Sequence, residues 1–490
     1  MKDGILKYCN IFTQKSIAKT ARIVENHLAK TALSCIMVLG GGSVFRRKVT
    51  GQLMIWKEKY VHSYAAMLEG ARRVGKSTIA ENFAKRHFRS YIKVDFANVS
   101  GEILEIFQDI ANLDLFFLRL QAATHVTLYR NESVIIFDEI QRAPLVRQAI
   151  KYLVADGRYA YIETGSLLSI KKNVRNIVIP SEEYKIPVYP MDYEEFLWAS
   201  QSEQYSLLRA LYQTGEAVGN QFNDQLMRDL RIYMAVGGMP QAVEAYVSGR
   251  NFEEIDFVKR QILNLYHDDF YKIDSSGRIS MIYDAIPSQL ALNRKRFILS
   301  SALNKRTTSK DFELFSDLLS SRTVLPCFHV SQPTISLSQT KELDTYKMYL
   351  ADTGLFVTML FGNESGIHRE IYSKLLSNKI DANLGYLYEN LCAQMIRAGG
   401  YDLYYHTWQK ENSTHCYEVD FLLPSKLKLV PLEVKSSSIK PHPSISTFME
   451  KYSSLTGTAY LLSQKDVSHE GMLKMRPFYM LPFILEDSKS

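Results

Sequence analysis

Residues 70–77 read GARRVGKS, a GxxxxGK[ST] run set between the apolar stretch YAAMLE (64–69) and the helix-like stretch KSTIAENFAKRHF (76–88). Few local patterns constrain a fold as strongly. The glycines let the backbone wrap around an anion, and successive N–H groups and the start of a helix then point their positive ends at it. Such a loop works between a buried strand and a helix, so it demands an α/β domain with a parallel sheet. Lys76 is placed to reach the β- and γ-phosphates of a nucleotide, and the Ser77 hydroxyl to ligate Mg²⁺. ATP and Mg²⁺ are thus the expected cofactors, cradled by Gly70, Ala71, Arg72, Arg73, Val74, Gly75, Lys76, Ser77 and Thr78.

A nucleotide site of this kind needs a second strand that ends in acids. SVIIFDE (133–139) supplies it: an apolar run buried on both faces delivers Asp138 and Glu139 to its carboxyl end, where open α/β sheets bind ligands. Asp138 is the expected Mg²⁺ ligand, and Glu139 the residue that orients or deprotonates the attacking water. The next strand ends in ETGS (163–166), so Thr164 or Ser166 is positioned to sense the γ-phosphate, unless both only close the strand. Strands at YIKVDF (91–96) and YAYIETGS (159–166), a long helical region from Glu102 to Ala122 and a helix over 145–154 complete an alternating β/α order. Arg142, Arg158 and Arg175 are alternative candidates for an arginine finger, and each reads first as a surface arginine.

At 490 residues the chain exceeds one ordinary core. The pattern divides it into an N-terminal extension (1–45), the P-loop region (46–200), a helical and winged-helix-like region (201–380) and an α/β region (381–490). A net charge of +7 permits nucleic-acid contact without requiring it. NRKRF (293–297) with Lys305, Arg306 and Lys310 is the basic stretch, which reads first as a solvated helix face. GGMP (237–240) reads as a turn. Five scattered cysteines without CxxC or zinc spacing fit a reducing, cytoplasmic setting. The longest uncharged run, residues 31–45, is too short and glycine-rich to span a bilayer, so no membrane partner is expected.

The C-terminal region carries a second constellation. In LEVK, Glu433 and Lys435 are two apart and share one strand face, while Asp420 closes the strand before it. Glu389 sits on the preceding helix. A metal-dependent nuclease needs acids to hold Mg²⁺ against a phosphate and a lysine to stabilise charge or position water. Glu389, Asp420 and Glu433 are the expected ligands, with Asp420, Glu433 and Lys435 as the catalytic set.

The ordered series LEGARRVGKSTIAENFAK, IIFDEIQRAP, ETGSLL, YPMDYEEFL, GGMPQAV, YKMYLADTGL and GYLYENL resembles prokaryotic AAA-type ATPases of unknown function with a C-terminal restriction-endonuclease-like domain. The resemblance covers about residues 46–470. It implies ATP binding and hydrolysis, a P-loop domain, a winged-helix-like middle and a nuclease-like end. The order helix, three strands, helix, strand after residue 383 also resembles a PD-(D/E)xK core. DNA or RNA and a protein partner or second copy of the chain are the expected partners. Three roles stay open: an ATPase coupled to cleavage, a nucleotide-regulated switch with a degenerate, non-cleaving nuclease fold, and an ATPase that moves or loads DNA.

Overall fold

The apolar strands Ala65–Glu69, Ser133–Asp138 and Ala160–Gly165 are buried along their whole length and lie side by side in the middle of one parallel sheet. In the computed structural model, residues 44–165, 180–202, 204–292, 294–360, 367–377, 385–411, 413–436 and 442–489 are described. Helix α1 (Val49–Lys59) precedes β1 (Ala65–Glu69), α2 (Lys76–His87), β2 (Ser90–Asp95), α3 (Gly101–Ile106), α4 (Leu113–Thr124), β3 (Ser133–Asp138), α5 (Pro144–Asp156), β4 (Ala160–Gly165) and β5 (Glu183–Pro187). The strands form a parallel sheet in the order β2-β3-β4-β1-β5. β4 therefore lies between the P-loop strand and the acid-bearing strand, with Leu68 opposite Thr164. The helical region expected over 102–122 is broken in two: Asn112 caps a new helix by accepting from Leu115 N at 3.2 Å.

The chain then turns helical through α6 (Tyr193–Ala199), α7 (Gln204–Thr214), α8 (Asn220–Val236), α9 (Pro240–Val247), α10 (Phe252–Ile273) and α11 (Arg278–Ala291). Of the basic stretch expected as a helix face, residues 294–298 are not helical, and only the short α12 (Leu299–Ala302) and then α13 (Ser309–Ser320) form. The antiparallel strands β6 (Val324–Val330) and β7 (Lys341–Leu350) follow. Next come α14 (Thr353–Leu360), α15 (Ile367–Leu376) and α16 (Gly385–Ala398).

β6 does more than close a hairpin. It pairs in parallel with β8 (Leu403–Gln409), which pairs antiparallel with β9 (Cys416–Val419), so one four-stranded sheet, β7-β6-β8-β9, bridges the boundary expected near residue 380. The strand expected to close at Asp420 is two strands, one on each side of it. The chain leaves this sheet after Val419, bends at Asp420, and as β10 (Phe421–Ser425) joins β11 (Lys428–Lys435) in a second, mixed sheet. That sheet is completed by β12 (Ala459–Ser463), β13 (Ser468–Glu470) and β14 (Leu473–Pro477), with α17 (Pro443–Lys451) and α18 (Leu481–Lys489) packed nearby. One apolar core runs from Leu53 and Trp56 through Tyr233, Tyr283 and Tyr349 to Phe478 and Leu485, and Phe45–Ser490 form one compact unit. Among the described residues no helix is long and apolar enough to cross a membrane.

Candidate nucleotide site and acidic cluster

The loop after β1 has the backbone its glycines allow. Gly75 (φ +93) sits just before α2 in the left-handed region, and a Cβ on Gly70 would lie 2.2 Å from the Val188 carbonyl oxygen. Ala71 and Val74 bury their side chains in the core, which leaves only their backbone to face a phosphate, while Arg73 and Thr78 are exposed. Lys76 curls back over the loop, its Nζ donating to the Ala71 carbonyl at 2.8 Å and the Gly70 carbonyl at 3.1 Å. Burial pushes the Lys76 pKa down to about 8, against the opposing pull of Glu139 and Asp138.

Ser77 Oγ donates to Asp138 Oδ1 at 2.6 Å, which joins the start of α2 to the end of β3. Thr164 donates to the same carboxylate oxygen and accepts the Glu139 N–H at 3.3 Å. Asp138 Oδ2 faces Lys93 Nζ at 3.2 Å. Glu139 itself adopts a left-handed backbone (φ 56, ψ 43), an uncommon conformation for a residue with a side chain, and the Gln141 amide holds its carboxylate. Lys76, Ser77, Asp138, Glu139 and Thr164 are thus brought together. The residues fit a magnesium nucleotide: a buried ammonium bonded only to loop carbonyls, and a hydroxyl and carboxylate already in contact.

Sequence reading missed the residues that brace this loop from outside. Arg47 donates to the Val74 carbonyl at 2.8 Å and the Tyr189 carbonyl at 2.7 Å, and its Nε lies 3.2 Å from Glu195. Arg72 pairs with Asp269 on α10 at 2.9 Å, and Tyr266 OH donates to the Arg72 carbonyl at 3.1 Å. In the sequence, Arg47 is the middle of three consecutive basic residues, Arg46 to Lys48, with nothing to mark it. Of the arginine-finger candidates, Arg158 is tied to Asp156 and Asp114 and lies over the Phe117 ring, as a structural surface arginine would. Arg142 is exposed just past Glu139. Arg175 and Ser166 lie outside the described residues.

The motifs without a chemical role meet in one buried polar node. Gly238 is more than a turn residue: its N–H donates to Asp352 at 2.6 Å, its carbonyl accepts from Met191 N at 2.6 Å, and a Cβ there would lie 2.0 Å from the Met191 carbonyl oxygen. Tyr233 OH donates to that same Met191 carbonyl and accepts from Gln394, whose oxygen takes both donors of Thr353. Lys259, fully buried, donates to Ala235 and Gly354 carbonyls and to Tyr372 OH.

In the C-terminal sheets, β10 and β11 pair so that Phe421 opposes Leu432, which sets Asp420 beside Glu433. Asp420 Oδ2 accepts the Val434 N–H at 2.8 Å. Lys435 reaches Glu433 Oε1 at 2.8 Å, and Glu433 Oε2 caps α17 through Ile445 N at 3.1 Å. Glu389 on α16 accepts from Tyr349 OH at 2.9 Å. Two further members come from residues the sequence had not singled out, Glu418 on β9 and Lys347 on β7, whose ions meet at 2.5 Å. Burial, together with Glu389 and the neighbouring acids, raises the Asp420 pKa well above the usual carboxylate range. Glu389, Asp420 and Glu433 are therefore brought into one cluster, but not as the metal-ligand set expected. Their oxygens are turned to lysine, tyrosine and backbone donors instead of a common point. Among the described residues no group of three or more His, Cys, Asp or Glu is placed to hold a metal ion.

A family model described as an AAA domain matches residues 62–197. These residues form an AAA-type P-loop ATPase domain, in agreement with the sheet order and the loop. Two domains of unknown function, DUF8612 and DUF4143, match residues 227–366 and 384–475. No curated protein matches the chain. Among solved structures, the Cdc6p of Pyrobaculum aerophilum is 13% identical over 70% of this chain and 98% of its own, with a TM-score of 0.25. The Thermotoga maritima RuvB Holliday junction branch migration motor is 15% identical over 56% of this chain and 86% of its own, at 0.25. A Signal Transduction ATPase with Numerous Domains from Pyrococcus horikoshii, with a tetratricopeptide repeat sensor, is 11% identical over 73% and 48%, at 0.26.

Proposed function

We propose that the chain binds ATP with Mg²⁺ at Gly70–Ser77 and Asp138 and hydrolyses it with Glu139. The observation that carries this reading is the contact of Ser77 Oγ with Asp138 Oδ1 at 2.6 Å, beside a lysine whose ammonium lies buried in the loop. Bound Mg²⁺ would neutralise charge on the β- and γ-phosphates. Lys76 exchanges its two carbonyl acceptors for phosphate oxygens, and Thr164 holds Asp138 in place while accepting the Glu139 N–H. Glu139 takes the proton of the attacking water, and its left-handed backbone aims the carboxylate. ATP hydrolysis by purified protein, compared with Lys76→Ala, tests this: equal rates would remove the assignment.

The reading extends to the C-terminal region as a nuclease-like module coupled to the ATPase. A helix acid, an acid at a strand bend and a Glu-x-Lys strand opposite it support the resemblance. The pairing of its acids with lysines favours a module that switches or holds a partner, DNA, RNA or protein, over one that cuts. The other reading, cleavage, is supported by Asp420, Glu433 and Lys435 standing together. Mg²⁺-dependent cleavage of DNA or RNA by the parent, lost in Lys435→Ala, would establish cleavage; no cleavage in either, with ATP-dependent partner binding, would establish the switch.

A further inference from the structure

Lys347 is a cation in an unusual place. It sits on β7 opposite Cys327 of β6, is only 5% exposed, and lies 2.5 Å from Glu418 Oε1 and 3.4 Å from Glu389 Oε2. An ammonium is buried at tolerable cost only where carboxylates compensate it. Here the compensation comes from two elements that lie far from β7 in sequence, α16 and β9. The same Glu389 oxygen also receives the Tyr349 hydroxyl, from one pleat further along β7. The rest of the cluster is likewise provided for: Asp420 by Val434 N, Glu433 by Lys435 and Ile445 N.

We infer that Lys347 is the resident cation of this cluster, and that its ammonium excludes a divalent ion from the space between Glu389 and Glu418. A hard divalent ion requires several oxygens at about 2.0–2.6 Å. An ion at that distance from the oxygens Lys347 touches would press against the ammonium, at a separation where two cations repel strongly. The inference rests on the nuclease-like reading of the module and changes its content. The acids lie in one cluster, but β7 brings the positive charge among them covalently.

The test is Mn²⁺ binding to the nucleotide-free full chain, in an Asp138→Asn background that removes the nucleotide-site carboxylate, followed by electron paramagnetic resonance. Lys347→Met is expected to bind Mn²⁺ at least about tenfold tighter than the parent and than Lys347→Arg, and to lose that gain when Glu418→Gln is added. Folded Lys347→Met, judged by unchanged circular dichroism, that binds no tighter than the parent overturns the inference. Should Lys347→Met fail to fold, the parent decides: tight Mn²⁺ binding that Glu389→Gln abolishes overturns the inference, and its absence supports it. Plasmid nicking with Mn²⁺ separates this from the underlying reading. Lys347→Met that gains Mn²⁺ but never nicks leaves the resident cation standing and removes the nuclease chemistry. Parent protein that nicks does the reverse.

Discussion

The carboxylate of Asp352 and the N–H of Gly238 meet at 2.6 Å in the interior, tying the end of β7 to the turn between α8 and α9. The contact is tight on every side. Gly237 takes the left-handed region (φ 84), and a Cβ on it would come within 2.4 Å of Asp352 Oδ1 and 2.8 Å of Gly354 Cα. A Cβ on Gly238 would lie 2.0 Å from the Met191 carbonyl oxygen, and backbone cannot swing away as a flexible side chain would. Gly238→Ala is therefore expected to cost about 3 kcal/mol or to abolish soluble expression. Gly51→Ala, in a helix with nothing within 4 Å, should be neutral or stabilise by up to about 1 kcal/mol. Urea unfolding of both variants checks the contrast; equal stabilities would mean the node is loosely packed.

Thr164 gives a second prediction, because it binds Asp138 and Glu139 at once. Thr164→Val keeps the shape but leaves a carboxylate oxygen and a backbone N–H short of a partner. We expect kcat for ATP hydrolysis to fall about 10- to 100-fold with the ATP dissociation constant within a few-fold of the parent. Glu139→Gln should lower kcat by about 10²- to 10⁴-fold while retaining ATP binding. Steady-state kinetics with equilibrium binding separates the two effects. Loss of binding in Thr164→Val with normal turnover would show that Thr164 serves the loop and not the acids.

The nucleotide site was legible because its chemistry is local: GARRVGKS and VIIFDE each carry strand, turn and functional group within a few residues, and parallel pairing through β4 places one beside the other. The acidic cluster was only half legible. Asp420, Glu433 and Lys435 share a hairpin, so their approach followed from strand alternation. Lys347 and Glu418 could not be found that way, since their meeting depends on β6 pairing with β8 across residues far apart in sequence. The bend at Asp420 was hidden for a related reason. YEVDFLL alternates and packs like one strand, and only the choice of two different partner strands breaks it. The glycines of GGMP looked like turn chemistry, and what they accommodate, Met191 and Gly354, lies in other motifs.

Lys76 makes nucleotide affinity pH-dependent. Its pKa of about 8 in the nucleotide-free protein means that its ammonium is present below pH 8 and is lost above it. Only the ammonium pairs with phosphate, so ATP affinity should be level below pH 8 and fall by about tenfold per pH unit above it. The effect on folding has the opposite sign. A lysine whose folded pKa lies below the unfolded value of 10.5 costs stability while charged, so this cost is present below pH 8 and disappears as the pH rises toward 10.5. Fluorescent-nucleotide titrations between pH 7 and 9.5 on the parent and Lys76→Met provide the check. Lys76→Met should bind weakly and without this slope, and a parent curve that stays level to pH 9.5 would count against a depressed lysine.

Asp420 offers the last test. Burial comes first among the causes that hold its pKa well above the usual carboxylate range, with Glu389, Glu418 and Glu433 adding repulsion against the pull of Lys347. A carboxylate with a raised folded pKa favours the native state while protonated and disfavours it once ionised, so its contribution is lost as pH rises through the folded value. An asparagine side chain in its place would resemble the protonated acid and keep an oxygen for the Val434 N–H, which Asp420 accepts at 2.8 Å. Asp420→Asn should accordingly raise the melting temperature of the nucleotide-free protein by more at pH 8 than at pH 5. Thermal unfolding at the two pH values decides it. A variant less stable than the parent at pH 8 would mean that the ionised Asp420 is what Lys347 and Lys435 jointly require, and that the cluster is held together by its charge and not in spite of it.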